Sequence, residues 1–316
     1  MPALFDKYFL NLPQFDRLGD FDSFWDKSID ELKTIPLEGQ TKPSKKHIKD
    51  FDCFDISFKS IFKATIEGRL CIPSGSTDSF PIIIFHDYNS KDFYNNFKLD
   101  TAFSYLFITL RNHQHIEKHD PAEKPQTKGE ILTPNFLAEN IHDKNRYYLK
   151  GLYLDALRSI DFLRLNRKIN CSNIAVIGRG LGSACALFAT AYSKRIKIIS
   201  IDAPALCYLS FSQNHSKSDI STEINRGIAS QKDKTAVKKN LTYFDSLNFA
   251  DKISVPIQMI VGLKDTQNPA QAAFALFNHI IADKTAEVYP DSGYETGSGK
   301  QWDKAIKFIK ENLDSN

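Results

Sequence analysis

The chain has 316 residues, 42% of them hydrophobic and 25% charged, with a formal net charge of +3. That length can bury a large core, and the balance excludes a disordered chain. The scattered lysines leave no footprint for nucleic acid, and no apolar run approaches the ~20 residues of a membrane span.

Residues 1–50 are polar with scattered aromatics and read as an N-terminal extension. Within them Asp22-Ser23-Phe24-Trp25 marks a helix start, capped by Asp22 or Ser23, and Lys42-Pro43-Ser44-Lys45-Lys46 reads as a loop. From Phe54 to Ile72 apolar and polar residues alternate, which predicts the half-buried strands of a hairpin. Short, mostly continuous apolar runs follow at Pro81–Phe85, Phe103–Leu110, Ile174–Ile177, Ile196–Ile201, Ile257–Val261 and Ala286–Tyr289, though Lys197 and Glu287 interrupt two of them. Such runs fit strands covered on both faces. Helical spacing marks Tyr147–Leu163, Ser183–Tyr192 and Ala270–Ile281 between several of them. The alternation predicts one α/β domain over 1–316 with a mostly parallel sheet and its chemistry at the carboxyl ends of the strands. The stretch 208–240, rich in Ser, Lys, Asn and Asp, reads as an irregular excursion over the sheet, a lid.

Five cysteines (Cys53, Cys71, Cys171, Cys185, Cys207) make an odd count with no CxxC pair. Cys71, Cys185 and Cys207 lie in apolar runs, where a thiol behaves as a small hydrophobe. Reduced thiols, and an N-terminus without a basic segment followed by an apolar core, lead to the expectation of a cytoplasmic protein.

The chemistry-bearing segment is Ile174-Ala-Val-Ile-Gly-Arg-Gly-Leu-Gly-Ser183, a strand entering a helix through a glycine-rich turn. Hydrolases of the α/β-hydrolase fold hold a nucleophilic serine in this setting, as G-x-S-x-G. Here the pattern is filled as Gly178-Arg179-Gly180-Leu181-Gly182, without the serine. Ser183, one turn into the helix and without glycine flanks, reads as helix packing; Cys207 and His279 read as structural. The same segment approximates the dinucleotide pattern G-x-G-x-x-G with Asp202 some 20 residues on. Its third glycine is replaced by Ser183 and it lies mid-chain, so no nucleotide or other cofactor is expected. Arg179 stands either beside a bound anion or in solvent. His113, His115, His119 and Asp120 form a histidine-rich loop whose spacing is not a recognised ligand frame, so no metal is expected.

Further segments accumulate in order: Phe21–Trp25, Phe85-His86-Asp87-Tyr88-Asn89, Tyr147–Arg158, Asp202–Cys207, Tyr243–Asn248, Val261–Asp265, Phe277–Ile280 and Tyr289–Glu295. With these the chain resembles the cephalosporin C deacetylase/acetyl xylan esterase family (carbohydrate esterase family 7) from roughly residue 20 to 312. The resemblance implies an α/β-hydrolase fold and a ring-like homo-hexamer. It puts the family's nucleophile at Gly180, its aspartate at Asp265, its histidine at Tyr294 and its oxyanion-hole amides at Tyr88 and Leu181. Asp87 replaces a glycine usual before the oxyanion tyrosine, and Arg111-Asn112-His113-Gln114 stands for an Arg-Gly-Gln-Gly loop. Asp87, His113 and Arg179 are the pocket candidates.

Glycine has no nucleophilic atom, and tyrosine, whose hydroxyl ordinarily titrates near pH ~10, is a poor base at neutral pH. Loss of a triad member typically costs roughly 10⁴–10⁶ in rate. The sequence therefore predicts a pseudo-esterase that binds a small ligand, an acetylated sugar by resemblance. The alternatives are a structural or regulatory subunit assembling with an active relative, and a hydrolase with altered chemistry in the same pocket. Glycine relieves the strain of the turn at residue 180, and the Tyr294 hydroxyl is expected to donate to Asp265.

Overall fold

A computed structural model describes residues 8–88, 90, 97–112, 135–296 and 300–313. Among these, nine strands form one sheet: β1 (Gln40–Pro43), β2 (Phe51–Lys59), β3 (Thr65–Pro73), β4 (Phe80–Phe85), β5 (Phe103–Ile108), β6 (Ile174–Arg179), β7 (Ile196–Asp202), β8 (Ile257–Gly262) and β9 (Lys284–Tyr289). Their order is β1-β2-β3-β5-β4-β6-β7-β8-β9. The edge β1-β2-β3 is antiparallel to itself and to β5, and every pairing from β5 through β9 is parallel. Each apolar run predicted from the sequence is a strand; the inner ones are covered on both faces and have no polar side to show, whereas β9 at the edge of the sheet is only half-buried.

The helices are α1 (Phe21–Lys33), α2 (Tyr148–Leu163), α3 (Leu181–Tyr192), α4 (Leu209–His215), α5 (Asp219–Ala229), α6 (Lys234–Leu241), α7 (Ala270–His279) and α8 (Gln301–Leu313). The larger core cluster joins α1, α2, α3 and α7 to the sheet, and a smaller one sets Ile306 and Ile309 of α8 against Ile82, Ile84, Tyr105, Phe107 and Ile198. Among the described residues no helix is long and apolar enough to cross a membrane.

Two segments depart from the sequence reading. The N-terminal residues are built into the body: Trp25 is fully buried, its indole N–H donates to the Tyr243 carbonyl at 3.1 Å, and its ring lies 4.4 Å from that of Phe188. Strand β1 also takes in Lys42 and Pro43, which read as loop. The stretch 208–240 is helical rather than irregular. Its helices α5 and α6 start at caps made by Ser218 and Asp233, and Ile220, Ile224 and Ile228 turn inward together. Buried Glu223 of α5 accepts hydrogen bonds from the Tyr88 hydroxyl (2.7 Å) and from the backbone N–H groups of Asn135 (3.1 Å) and Leu137 (3.2 Å). One carboxylate thereby fastens this helical excursion to the loop that leaves β4.

Strand β4 lies between β5 and β6, so the chain leaves it to one side and later returns to the other. A crevice forms at the carboxyl ends of strands where the order reverses this way. Residues 86–88 leave the end of β4, and Gly180 follows the end of β6. The end of β5 is fixed by Arg111, whose guanidinium makes two hydrogen bonds to the Asp155 carboxylate of α2 at 2.7 and 2.6 Å, both side chains being buried. Burial pushes the Asp155 carboxyl up, and Arg111 opposes that shift. Removing one member of such a pair leaves the other charged and unpaired in the interior. Asp155→Ala is expected to lower the unfolding free energy by about 3–5 kcal/mol, read from urea denaturation.

Candidate functional site

The turn after β6 holds Gly180 at φ +53° and ψ −119°, a conformation side-chain-bearing residues rarely adopt. Its backbone is pinned: the Gly180 N–H donates to the Asp202 carbonyl (3.0 Å), and the Gly180 carbonyl accepts from Ser183 (3.1 Å) and Ala205 (3.1 Å). Two residues on, a Cβ at Gly182 would stand 2.1 Å from the Phe85 carbonyl oxygen, so α3 can approach β4 only without a side chain there. Ser183 is wholly buried and donates to the Gly178 carbonyl at 2.9 Å, in the packing role read from the sequence.

What fills the elbow is Asp87. A Cβ built on Gly180 would lie 1.9 Å from Asp87 Oδ1 and 2.1 Å from its Cγ, so the carboxylate stands where a side chain at 180 would begin. Asp87 Oδ1 accepts a hydrogen bond from the Leu181 amide at 2.7 Å. That amide opens α3, and a helix N-terminus attracts negative charge. The other carboxylate oxygen, Oδ2, accepts the hydroxyl of Tyr294. Behind it the buried His86 ring sits between the Asp87 carbonyl (Nδ1, 2.6 Å) and the Leu110 N–H (Nε2, 3.1 Å). With Nδ1 donating and Nε2 accepting, this is a neutral ring, and burial holds its pKa down.

Arg179 is half-buried, and its guanidinium is already engaged inside the protein. Its guanidinium pairs with Asp202, donates to the Tyr294 carbonyl (2.8 Å) and hydroxyl (3.3 Å), and lies 4.5 Å from the centre of the Tyr294 ring. Asp202 also accepts from the Thr296 hydroxyl at 2.6 Å. Burial, partly countered by Arg179 and Thr296, raises Asp202 to about 6, and burial with the Asp87 charge pushes the Tyr294 hydroxyl above its ordinary value. Burial works against the Arg179 charge, but Asp202, Tyr294 and Asp87 outweigh it and keep the guanidinium protonated.

Tyr294 does not bond Asp265, contrary to expectation. Asp265 Oδ1 accepts the backbone N–H groups of Gln267 (2.7 Å) and Asn268 (2.9 Å), and its buried Oδ2 has no hydrogen-bond partner. The Tyr294 hydroxyl goes to Asp87, which extends from the neighbouring strand end and offers a carboxylate oxygen the Leu181 amide leaves open. Burial raises the Asp265 carboxyl. Tyr88 is buried, with its hydroxyl on Glu223. His113, His115, His119 and Asp120 lie outside the described residues. His279 packs its ring 4.6 Å from Phe15, and Cys207 is buried. Among the described residues no group of His, Cys, Asp or Glu is arranged to hold a metal. The sequence marks Asp202 for the dinucleotide pattern and within the segment Asp202–Cys207 but not as the Arg179 partner, and it does not mark Thr296 or Glu223; the partners of these last two are 94 and 135 residues away, beyond any local spacing.

The acetyl xylan esterase (AXE1) family model matches residues 12–312. The chain belongs to this family. Acetyl esterase Axe7A of Xylanibacter ruminicola is 24% identical to it over 305 residues, which is 92% of this chain and 67% of that protein. The structure of an acetyl xylan esterase from Paenibacillus sp. R4 matches with a TM-score of 0.84 and 27% identity, over 97% of this chain and 98% of the other. Acetyl xylan esterase 1 from Thermoanaerobacterium sp. JW/SL YS485 matches over the same shares with a TM-score of 0.80 at 21% identity. The family and its neighbours share the α/β-hydrolase fold.

A side chain at 180 must displace Asp87 and adopt a positive φ. Gly180→Ser alone is expected to cost about 1–3 kcal/mol of stability. In the Asp87→Gly background the steric part of that cost should vanish, giving a non-additive double-mutant cycle in chemical denaturation. Asp202 binds its proton more tightly folded (about 6) than at its ordinary 3.8. Its contribution to stability is therefore full below about pH 4 and falls as pH rises through about 6. Asp202→Asn should flatten that part of the stability–pH curve.

Proposed function

We propose that this chain is a non-hydrolytic member of the acetyl xylan esterase family that acts by binding. The observation that carries this reading is the Asp87 carboxylate in the elbow. It takes the Leu181 amide hydrogen bond that would otherwise be available to a substrate oxyanion, and its negative charge repels a developing one. The residue at 180 offers no nucleophile, and the phenol at 294 is hydrogen-bonded as a donor to Asp87 rather than poised as a base. The unpartnered Asp265 Oδ2 accords with the same reading, being a carboxylate oxygen with no base to orient.

Room for a ligand remains beside the filled elbow. A cavity of about 270 Å³ runs from Asp87, Arg179 and Asp202 to the rings of Phe97 and Trp302, which lie 4.2 Å apart. An aromatic wall with a polar end suits a small amphipathic molecule, and by family an acetylated sugar. The role of a subunit assembling with an active relative is favoured by the closed elbow alone.

With p-nitrophenyl acetate the purified chain is expected to show no hydrolysis above the heat-inactivated control. The triple variant Asp87→Gly, Gly180→Ser, Tyr294→His should gain measurable hydrolysis, whereas Gly180→Ser with Tyr294→His should not while Asp87 remains. Wild-type turnover above the control would contradict the proposal. Acetylated xylo-oligosaccharides should raise the melting temperature, an effect lost in Trp302→Ala.

A further inference from the structure

Strands β2 and β3 pair in an unbroken antiparallel register that sets Cys53 directly opposite Cys71. Beyond the two ends of this ladder, Ser60 donates to the Ala64 carbonyl (3.0 Å) and Ser74 to the Asp50 carbonyl (3.0 Å). Hydrogen-bonded pairs alternate with non-hydrogen-bonded ones along such a ladder. Counting inward from either end, the even-numbered pairs are hydrogen-bonded, and Cys53 with Cys71 is a non-hydrogen-bonded pair. That kind brings Cα atoms to about 4.5 Å, inside the range of about 4.4–6.8 Å that a disulfide spans. Both thiols are free, and their sulfurs are 3.1 Å apart, in hydrogen-bond contact. Cys71 is fully buried, while Cys53 is only partly covered and reachable from solvent.

We propose that Cys53 and Cys71 form a reversible cross-strand disulfide, with Cys53 as the attacking thiol, Cys71 as the resolving thiol, and a small disulfide of the glutathione type as the oxidant. The Cys53 thiolate attacks one sulfur of the oxidant, forming a mixed disulfide and expelling one glutathione thiolate. Cys71 then gives its proton to the expelled glutathione thiolate, and its sulfur attacks the Cys53 sulfur. The protein disulfide forms and the second glutathione thiolate leaves. Two protein thiols are oxidised and one disulfide is reduced to two thiols, so the electrons balance. The order of attack follows from exposure and charge. The hydrogen bond from Cys71 favours the Cys53 thiolate and lowers its pKa, with the nearby Arg69 assisting, while the same contact and burial raise Cys71. The other three cysteines lie on different elements and no such pairing is seen among them: Cys185 is buried in α3, Cys207 is buried after β7, and Cys171 precedes β6.

The test uses the full reduced chain, incubated with oxidised glutathione, blocked with iodoacetamide and digested without reductant. Mass spectrometry is expected to find the Cys53 and Cys71 peptides joined, with the loss of two hydrogens, and to recover both thiols after dithiothreitol. In Cys71→Ser, Cys53 should stop as the glutathione mixed disulfide; in Cys53→Ser, Cys71 should stay reduced. The proposal is overturned if wild-type Cys53 and Cys71 remain unlinked, whether free or with Cys53 held as the mixed disulfide. It is overturned equally if Cys71 takes up glutathione as fast in Cys53→Ser as Cys53 does in Cys71→Ser. Circular dichroism matching wild type in both variants shows that the readout reports thiol chemistry in a folded chain.

Discussion

The Asp87 carboxylate decides how the whole crevice is arranged. It reaches from the end of β4 to the N-terminus of α3, takes the Leu181 amide on one oxygen and the Tyr294 hydroxyl on the other, and occupies the space of a side chain at 180. Three positions far apart in sequence are thereby one physical unit. A carboxylate at 87 requires glycine at 180 on steric grounds, and it makes a hydroxyl donor at 294 favourable where an acceptor would be repelled. Arg179 supplies the compensating charge, bound to Asp202 and lying against the Tyr294 ring. Without it Asp87, Asp202 and Asp265 would face one another with only backbone and hydroxyl donors between them.

The scaffold around this unit keeps the features that make an elbow. Gly180 has a positive φ, Gly182 lies close against Phe85, and Asp265 accepts two backbone N–H groups. The two glycine features follow from the packing of α3 against β4, and the Asp265 contacts from the turn after β8; neither depends on a nucleophile at residue 180. The proposed loss of hydrolysis thus sits on a fold that has no structural need to change, and the adjoining cavity between Arg179 and Trp302 is left for binding.

Much of this was legible in the sequence where the signal is local. Ile82 to Phe85 and Ile196 to Ile201 announce strands because nothing polar is needed on either face, although Lys197 interrupts the second run. The glycine spacing at 178–182 announces the turn, while Asp87 is singled out only by the family resemblance, which implies an oxyanion position beside it. The destination of the Tyr294 hydroxyl was not legible. Triad logic paired it with Asp265, but the outcome depends on which carboxylate oxygen is left open once backbone amides have been served. The helices of 208–240 were hidden by their polar surface, although Ile220, Ile224 and Ile228 recur at helical spacing. Glu223 and Thr296 have no local signature, because their roles exist only once distant strands and helices meet.

The claim that Asp87 occupies the elbow is tested most directly by the backbone amide resonance of Leu181. An N–H donating to a carboxylate at 2.7 Å should resonate well downfield and exchange slowly. In Asp87→Ala that resonance should move upfield and lose protection, while amides in β7 and β8 stay in place. A Leu181 amide with an ordinary shift in the wild type, unmoved by removal of the Asp87 carboxylate, would contradict the account.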